Sequence, residues 1–459
     1  NGAYGVIRVG TPDVTNFVPE VGAVGDHPNF TGSMHNERFN LSYNRIIANS
    51  GTNRAGAVGL YTGSDNYLIA NNDFCGNFSA EYGGAITHYG QAAGGVIRRN
   101  RIYFNQAYGE GGGIMIAGEL PANNNTLSAG AGRGTGTTAA VSGVLIDSNN
   151  IVSNQANDDG GGIRFLMAGN YPFLLQNNII AGNVSTHAGG GVALDDAPKV
   201  TLVNNTLVKN ITTGTAITNS AGLDGIKPAN PAGLSTGGNS ALLQATLLPS
   251  APNWSKPTLI NNIFADNRAA WSQVPTATNF NVSGIMGIGQ DGDTNPIQRW
   301  DIGVLGADSL NNGRDVNNNV IPLSLSTNSN TTNTVLTAGL QHAAMGSVSL
   351  LGDLNTAPTV DGAASTLSGG VGFINEQEQQ VDSVAWRRNT AVQYPVLMTQ
   401  LMPATLGADY HLAGDASRSL AVNKGVAPSA NRLVPTYDID GQQRPLTGDR
   451  KSTRLNSSH

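Results

Sequence analysis

Seven times this chain spells the same word: Asn, any residue, a large apolar residue, any two residues, Asn. The first Asn of each unit is Asn44, Asn72, Asn100, Asn149, Asn178, Asn205 and Asn262; the second is Asn49, Asn77, Asn105, Asn154, Asn183, Asn210 and Asn267. The apolar slot holds Ile46, Phe74, Ile102, Ile151, Ile180, Leu207 and Phe264. Four of the six steps between first asparagines are 28, 28, 29 and 27 residues (72−44, 100−72, 178−149, 205−178), and the other two, 49 and 57, read as one coil plus an insertion. A fixed period of this length means a stacked repeat. One unit cannot bury its apolar face alone, whereas a stack of them can.

The register extends beyond the asparagines. Three residues before the first Asn stand Leu41, Ile69, Ile97, Ile146, Leu175, Leu202 and Leu259, all large aliphatics, and the position five before is mostly apolar. Fourteen after it stand Val58, Ile86, Ile114, Ile163 and Val192; sixteen after it stand Leu60, His88, Ile116, Phe165 and Leu194. Within each group the inward positions are two apart, which is strand periodicity, and no helical stripe competes with it. The spacing predicts three short strands per coil and an all-β, single-stranded parallel β-helix with loop insertions. Successive coils would then stack at about 4.8 Å and set equivalent side chains in shared internal columns. The asparagines are expected at the sharp turns, where Asn tolerates left-handed backbone and stacked amides bond along a column. Glycine runs such as Gly160-Gly161-Gly162 and Gly189-Gly190-Gly191 end just before the strand at the fourteenth position. There they would permit positive φ and close approach between coils.

Composition narrows the function. Charged residues are 12% of the chain and the net charge is −6, so neither a nucleic-acid surface nor an anionic-membrane surface is expected. Cys75 is the one cysteine, which excludes a disulfide framework. No apolar run is long enough to span a membrane, and a monomer is expected. Residues 1–306 read as parallel β-helix, with 1–38 as irregular early coils and insertions at about 118–142 and 211–256. Within the second insertion, Gly233-Leu234-Ser235-Thr236 reads as the displaced strand of its coil. Residues 307–368 read as irregular or degraded coils, 369–448 as a C-terminal β segment capping the helix, and 449–459 as the in-frame translation of a sequencing adapter. The chain starts at Asn1 without Met or a signal-peptide pattern, which reads as a mature product or a fragment.

A few outward positions break the bland pattern. Glu81, Glu110, Asp158 and Asp159 precede the glycine runs, and His187 occupies the equivalent turn. Arg164 and Asp195 point outward if Ile163 and Val192 point inward, and Asp196 ends that strand. Stacking would gather them within a few inter-strand spacings. Carboxylates so placed suit a hard cation such as calcium, with Asp158, Asp159 and Asp195 as its ligands. Two carboxylates at suitable separation also suit acid/base work on a sugar, with Asp158, Asp159, Arg164 and Asp195 as the catalytic candidates. Glu110, His187, Asp196 and Tyr89 are the binding candidates, and Tyr89, Tyr103 and Tyr108 would form a sugar-stacking strip. Ordinary turn chemistry explains Asp before Gly equally well. His88 falls in an inward slot and reads as a hydrogen-bonded core residue. Met115, Leu166 and Met167 are expected to pack beneath the inserted loops.

The asparagine coil with its Gly-rich entry resembles the right-handed parallel β-helix proteins of the pectin-lyase-like superfamily. The stretch Gly407-Ala408-Asp409-Tyr410-His411-Leu412, with Tyr437-Asp438-Ile439-Asp440-Gly441-Gln442-Gln443-Arg444-Pro445, is similar to the closing segment of bacterial surface β-helix proteins. The resemblance implies an extracellular or cell-surface setting and a polysaccharide or cell-surface glycan as partner. In lyases of this fold, acidic residues hold calcium and a basic residue abstracts a proton. Two functions stay open: a structural, adhesive or glycan-contacting β-helix, and a polysaccharide lyase or glycoside hydrolase acting on an acidic polysaccharide. The fold hosts both.

Overall fold

The unit is plainest in the coil that begins at Phe173. Its strands are Phe173–Gln176, Ile179–Ala181, Val184–Ser185 and Val192–Asp195. Each pairs in parallel with its counterpart one coil earlier and one coil later. Repeated along the chain, this makes four long sheets and a parallel β-helix. The structure is a computed structural model that describes residues 5–10, 36–118, 142–216 and 226–273, with shorter stretches between 285 and 444. Each coil has four strands where the spacing predicts three. The additional strand, such as Val184–Ser185, follows the second Asn and is two residues long, too short to show any alternation.

The predicted columns are the core. Ile46, Phe74, Ile102, Ile151, Ile180, Leu207 and Phe264 stand in one line of direct strand partners. They share a single buried cluster with the columns of Ile69 and Ile114. Burying each such side chain contributes about 1.5–3 kcal/mol. His88 lies within this core, its Nδ1 2.9 Å from the Tyr67 hydroxyl and its Nε2 3.1 Å from the Gly90 carbonyl oxygen. Burial pushes the Tyr67 hydroxyl well above its ordinary pKa, so the phenol stays protonated and donates. Gly95 makes room for that phenol, since a Cβ there would lie 2.2 Å from the ring.

The asparagines form two ladders inside the coil. Asn105 Nδ2 donates to Asn154 Oδ1 at 2.9 Å, and Asn154 Nδ2 donates to Asn183 Oδ1 at 3.0 Å. The backbone N–H of each also donates to the next Oδ1, and each Nδ2 reaches a strand carbonyl of the preceding coil. One expectation is corrected here. The left-handed residue at each corner is not the ladder Asn but the residue before it: Ser148, Asn177, Asn204 and Asn261 before the first Asn, Ser153, Gly182, Lys209 and Asp266 before the second. That residue carries the positive φ, and the Asn is thereby turned inward to bond along the stack.

Two glycines of one run do different work. Gly160 has φ +71°, and a Cβ on it would meet the Cβ of Arg164 at 2.7 Å. Gly161 lets coils approach, since its Cβ would lie 2.6 Å from the Gly190 carbonyl oxygen.

Insertions leave the stack undisturbed. Leu234–Thr236 seats in register between Val192–Leu194 and Ile302–Val304. The same insertion carries a short helix, Ala241–Gln244, that the Gly- and Pro-rich composition hides. No described helix is long and apolar enough to cross a membrane. Residues 119–141 of the first insertion, most of 307–368 and all of 449–459 lie outside the described residues. Stacking nevertheless continues past residue 306: Thr331–Thr332, Val335–Leu336 and Leu340–His342 pair in parallel with Thr258–Ile260, Ile263–Ala265 and Ile302–Val304.

The C-terminal segment lies along the flank of the rod. Tyr410 and Ile439 pack on the outward apolar residues Val152, Ile179, Ala181, Val208, Ile263 and Ala265. The Tyr437 hydroxyl donates to Asp147 Oδ2 at 3.1 Å and accepts from Gln176 Nε2 at 2.9 Å, while Arg444 reaches Asn177 Oδ1 at 3.2 Å. Asp438 ties its own turn by accepting from the backbone of Asp440 and Gln442.

Candidate functional site

The turn before each glycine run stacks as the strands do. Backbone bonds link Gly56 to Gly83, Gly84 to Gly111, Gly112 to Gly160 and Gly161 to Gly189. The residues two before Gly56, Gly84, Gly112 and Gly161 therefore stand in one outer line: Arg54, Tyr82, Glu110 and Asp159. Beside it runs a second line with Glu81, Asp158 and His187. On the adjoining sheet, Arg164 alternates outward between the buried Ile163 and Phe165, and Asp195 follows the buried Leu194.

Arg164 is the hub, and it is buried. Its Nε donates to Glu110 Oε2 at 2.5 Å, one coil earlier. Its Nη2 lies 3.3 Å from Asp159 Oδ2 in its own coil and 3.6 Å from Asp195 Oδ2 in the next. Three carboxylates from three coils thus converge on one guanidinium. The other Asp159 oxygen accepts the Ala188 N–H at 2.9 Å and lies 2.9 Å from His187 Nδ1. Asp158 Oδ1 stands 3.7 Å from the same imidazole nitrogen.

The electrostatics follow from this geometry. Burial pushes the Glu110 carboxyl from 4.5 up to about 7, and Asp159 and Asp158 push the same way against Arg164. Burial also opposes ionisation of Asp159, but His187 and Arg164 outweigh it and bring the group from 3.8 down to about 2. Partial burial opposes the charged form of the half-buried His187, yet Asp159 and Asp158 hold its imidazolium above the ordinary 6.5. Burial raises Asp195 despite Arg164. Neighbouring carboxyls with opposed shifts are a recognised arrangement for an acid and a base, and also for a structural ion-pair network.

Two predicted members stand elsewhere. Asp196 takes a left-handed φ of +47° and accepts the Ser240 N–H at 2.7 Å, so it anchors the chain entering the short helix. Tyr89 stacks with Tyr82 at 6.4 Å between centroids, under the Arg54 guanidinium at 4.3 Å. The expected tyrosine strip does not form: Tyr89 and Tyr103 lie on different sheets, and Tyr108 follows the short strand Gln106–Ala107. Each falls at a different phase of the coil, so stacking separates them. Met115 is buried in the outward line between Thr87 and Arg164, while Leu166 and Met167 are half-buried. Of the two loops expected over them, residues 119–141 of the first lie outside the described residues, as do 217–225 of the second.

Tyr82 and Arg54 were missed in the sequence. Burial, then Glu110 and Glu81, push the Tyr82 hydroxyl up to about 12, so it extends the patch as a protonated donor. The signal that finds them is their column position two residues before the stacked glycine. Among the described residues, the donor atoms that gather as a metal-ligating group are those of Asp158, Asp159 and His187, all within 4.8 Å of one another. Asp195, expected as the third ligand, is not among them.

The fold and the site define a parallel β-helix with an ion-paired patch on its turns. Comparison with known proteins finds no matching family, no similar curated protein and no similar solved structure.

Proposed function

We propose that this chain is an extracellular or cell-surface β-helix with a structural and glycan-contacting role. The observation that carries this reading is the arrest of Arg164. Its guanidinium is buried and engaged by Glu110, Asp159 and Asp195, and Asp159 is further tied to His187 and the Ala188 amide. A base that abstracts a sugar proton has to lose its own proton, and three carboxylates hold this one in place. The half-buried Tyr82 and Tyr89 rings, with the Arg54 guanidinium over Tyr89, form an aromatic and cationic edge beside the patch that suits an acidic polysaccharide.

A second reading, a polysaccharide lyase or glycoside hydrolase acting on an acidic polysaccharide, is favoured by the opposed shifts of Glu110 and Asp159. One experiment separates the two. The protein is incubated with immobilised and soluble acidic polysaccharides, and both retention and chain shortening are measured. Retention without shortening, reduced in Tyr89→Ala, supports the binding role. Shortening that is lost in Asp159→Ala and Glu110→Gln supports the enzyme. Neither retention nor shortening with any tested polymer removes glycan contact from the proposal.

A further inference from the structure

The stacked turns carry a ligand set that differs in chemistry from the one expected. Calcium takes six to eight oxygen ligands, and the carboxylates of Asp158, Asp159 and Asp195 would begin such a set. The structure withdraws Asp195 to Arg164 and places His187 Nδ1 against the two remaining carboxylates. An imidazole nitrogen is a poor calcium ligand and a good one for zinc, nickel or copper. From this geometry we propose that Asp158, Asp159 and His187 form a site for a first-row divalent transition ion.

The distances fit. Two ligands about 2.1 Å from a metal lie about 3.0 Å apart at a right angle and about 3.4 Å apart at the tetrahedral angle. His187 Nδ1 stands 2.9 Å from Asp159 Oδ1 and 3.7 Å from Asp158 Oδ1, on either side of those values. The ligands are also oriented from outside. Asp159 Oδ1 is fixed by the Ala188 N–H, and Asp159 Oδ2 by Arg164. Such outer contacts hold a metal-ligating carboxylate in place. The local charge is unbalanced in the right sense. Glu110, Asp158, Asp159 and Asp195 surround one guanidinium and one imidazole. On binding, the ion takes the place of the Nδ1 proton, which leaves to solvent. Three protein ligands leave further coordination positions to water or to a ligand hydroxyl. The site stands on its own geometry and does not depend on the glycan-contacting role.

The test uses the full chain, stripped with a chelator and titrated by calorimetry with zinc or nickel, and separately with calcium. We expect one saturable site for the transition ion, with calcium at least about tenfold weaker. His187→Gln and Asp158→Asn should each weaken binding by at least about 100-fold while leaving the far-ultraviolet dichroism unchanged. Calcium binding as tightly as zinc, or zinc affinity unchanged in Asp158→Asn, overturns the proposal. If His187→Gln does not fold, copper resonance on the unaltered chain decides. Nitrogen coupling that Asp158→Asn abolishes supports the site; an all-oxygen signal overturns it.

Discussion

At the scale of single residues, this rod depends on side chains that satisfy backbone. Asn154 accepts from the backbone and the amide of Asn105, and donates to Asn183 Oδ1 and to the Ile102 carbonyl. Asn154→Ala leaves two buried Asn105 donors without this acceptor, at about 1–3 kcal/mol each. We expect a drop of that size per donor in urea unfolding. A change below about 0.5 kcal/mol would mean that water replaces the rung. Arg164→Ala leaves Glu110, Asp159 and Asp195 facing one another in a half-buried patch. Removing one partner of such a set costs about 3–5 kcal/mol. Adding Glu110→Gln should recover part of that loss, because it removes one of the uncompensated carboxylates; no recovery would show that Arg164 acts chiefly through packing.

At the scale of the element, the stacked turn behaves as one titrating unit. Asp159 is lowered from 3.8 to about 2, so its stabilisation is present above pH 3.8 and is lost as the pH falls through 2. His187 is raised above 6.5, so its stabilisation is present below pH 6.5 and is lost as the pH rises through the folded value. Glu110 is raised from 4.5 to about 7, so it favours the folded state at low pH and loses that advantage between 4.5 and 7. The three together put maximum stability well on the acid side of neutrality, above the 3.8 of Asp159 and below the 4.5 at which the Glu110 advantage begins to fade. Melting temperature recorded from pH 3 to pH 9 checks this, and His187→Gln should flatten the alkaline limb. The repeat itself was legible at this scale because inward positions recur in Ile69, Ile97 and Ile146 and again in Ile86, Ile114 and Ile163. The coil after Val304 was not. Val335 and Leu336 pair with Ile263 and Phe264, yet the sequence around them lacks the Asn-x-apolar-x-x-Asn word that marks a coil.

For the whole molecule, the flank matters as much as the core. Where the C-terminal segment lies, outward strand positions are apolar, as in Val152, Ile179, Val208 and Ile263. In earlier coils the positions in line with Ile179 and Ile263 hold Arg45, Asp73 and Arg101, of which Arg101 pairs with Asp73 at 3.6 Å, while those in line with Val152 and Val208 hold Ile47, Cys75 and Tyr103. A chain ending before Asp409 should therefore bare a contiguous apolar strip. We expect it to bind a hydrophobic dye and to self-associate in sedimentation, while Asn154-type ladder variants of the full chain do not. A truncated chain that stays monomeric and dye-free would show that the segment only rests on the rod.

The sequence by itself determined the period, the inward columns, the need for glycine before each long strand and the zone in which charges would gather. These follow from one-dimensional rules: burial demands that apolar residues recur once per coil, and the backbone demands partners at every corner. Only the tertiary structure decided which charges meet. Glu110 and Arg164 are 54 residues apart yet within hydrogen-bonding distance, because stacking measures separation in coils and passes over the insertion between them. It also decided that Asp195 turns to Arg164, that Asp196 turns to Ser240 and that His187 joins Asp158 and Asp159. In this charged patch, ion pairs between coils position the side chains. Each partner there is an opposite charge that the same or a neighbouring coil presents.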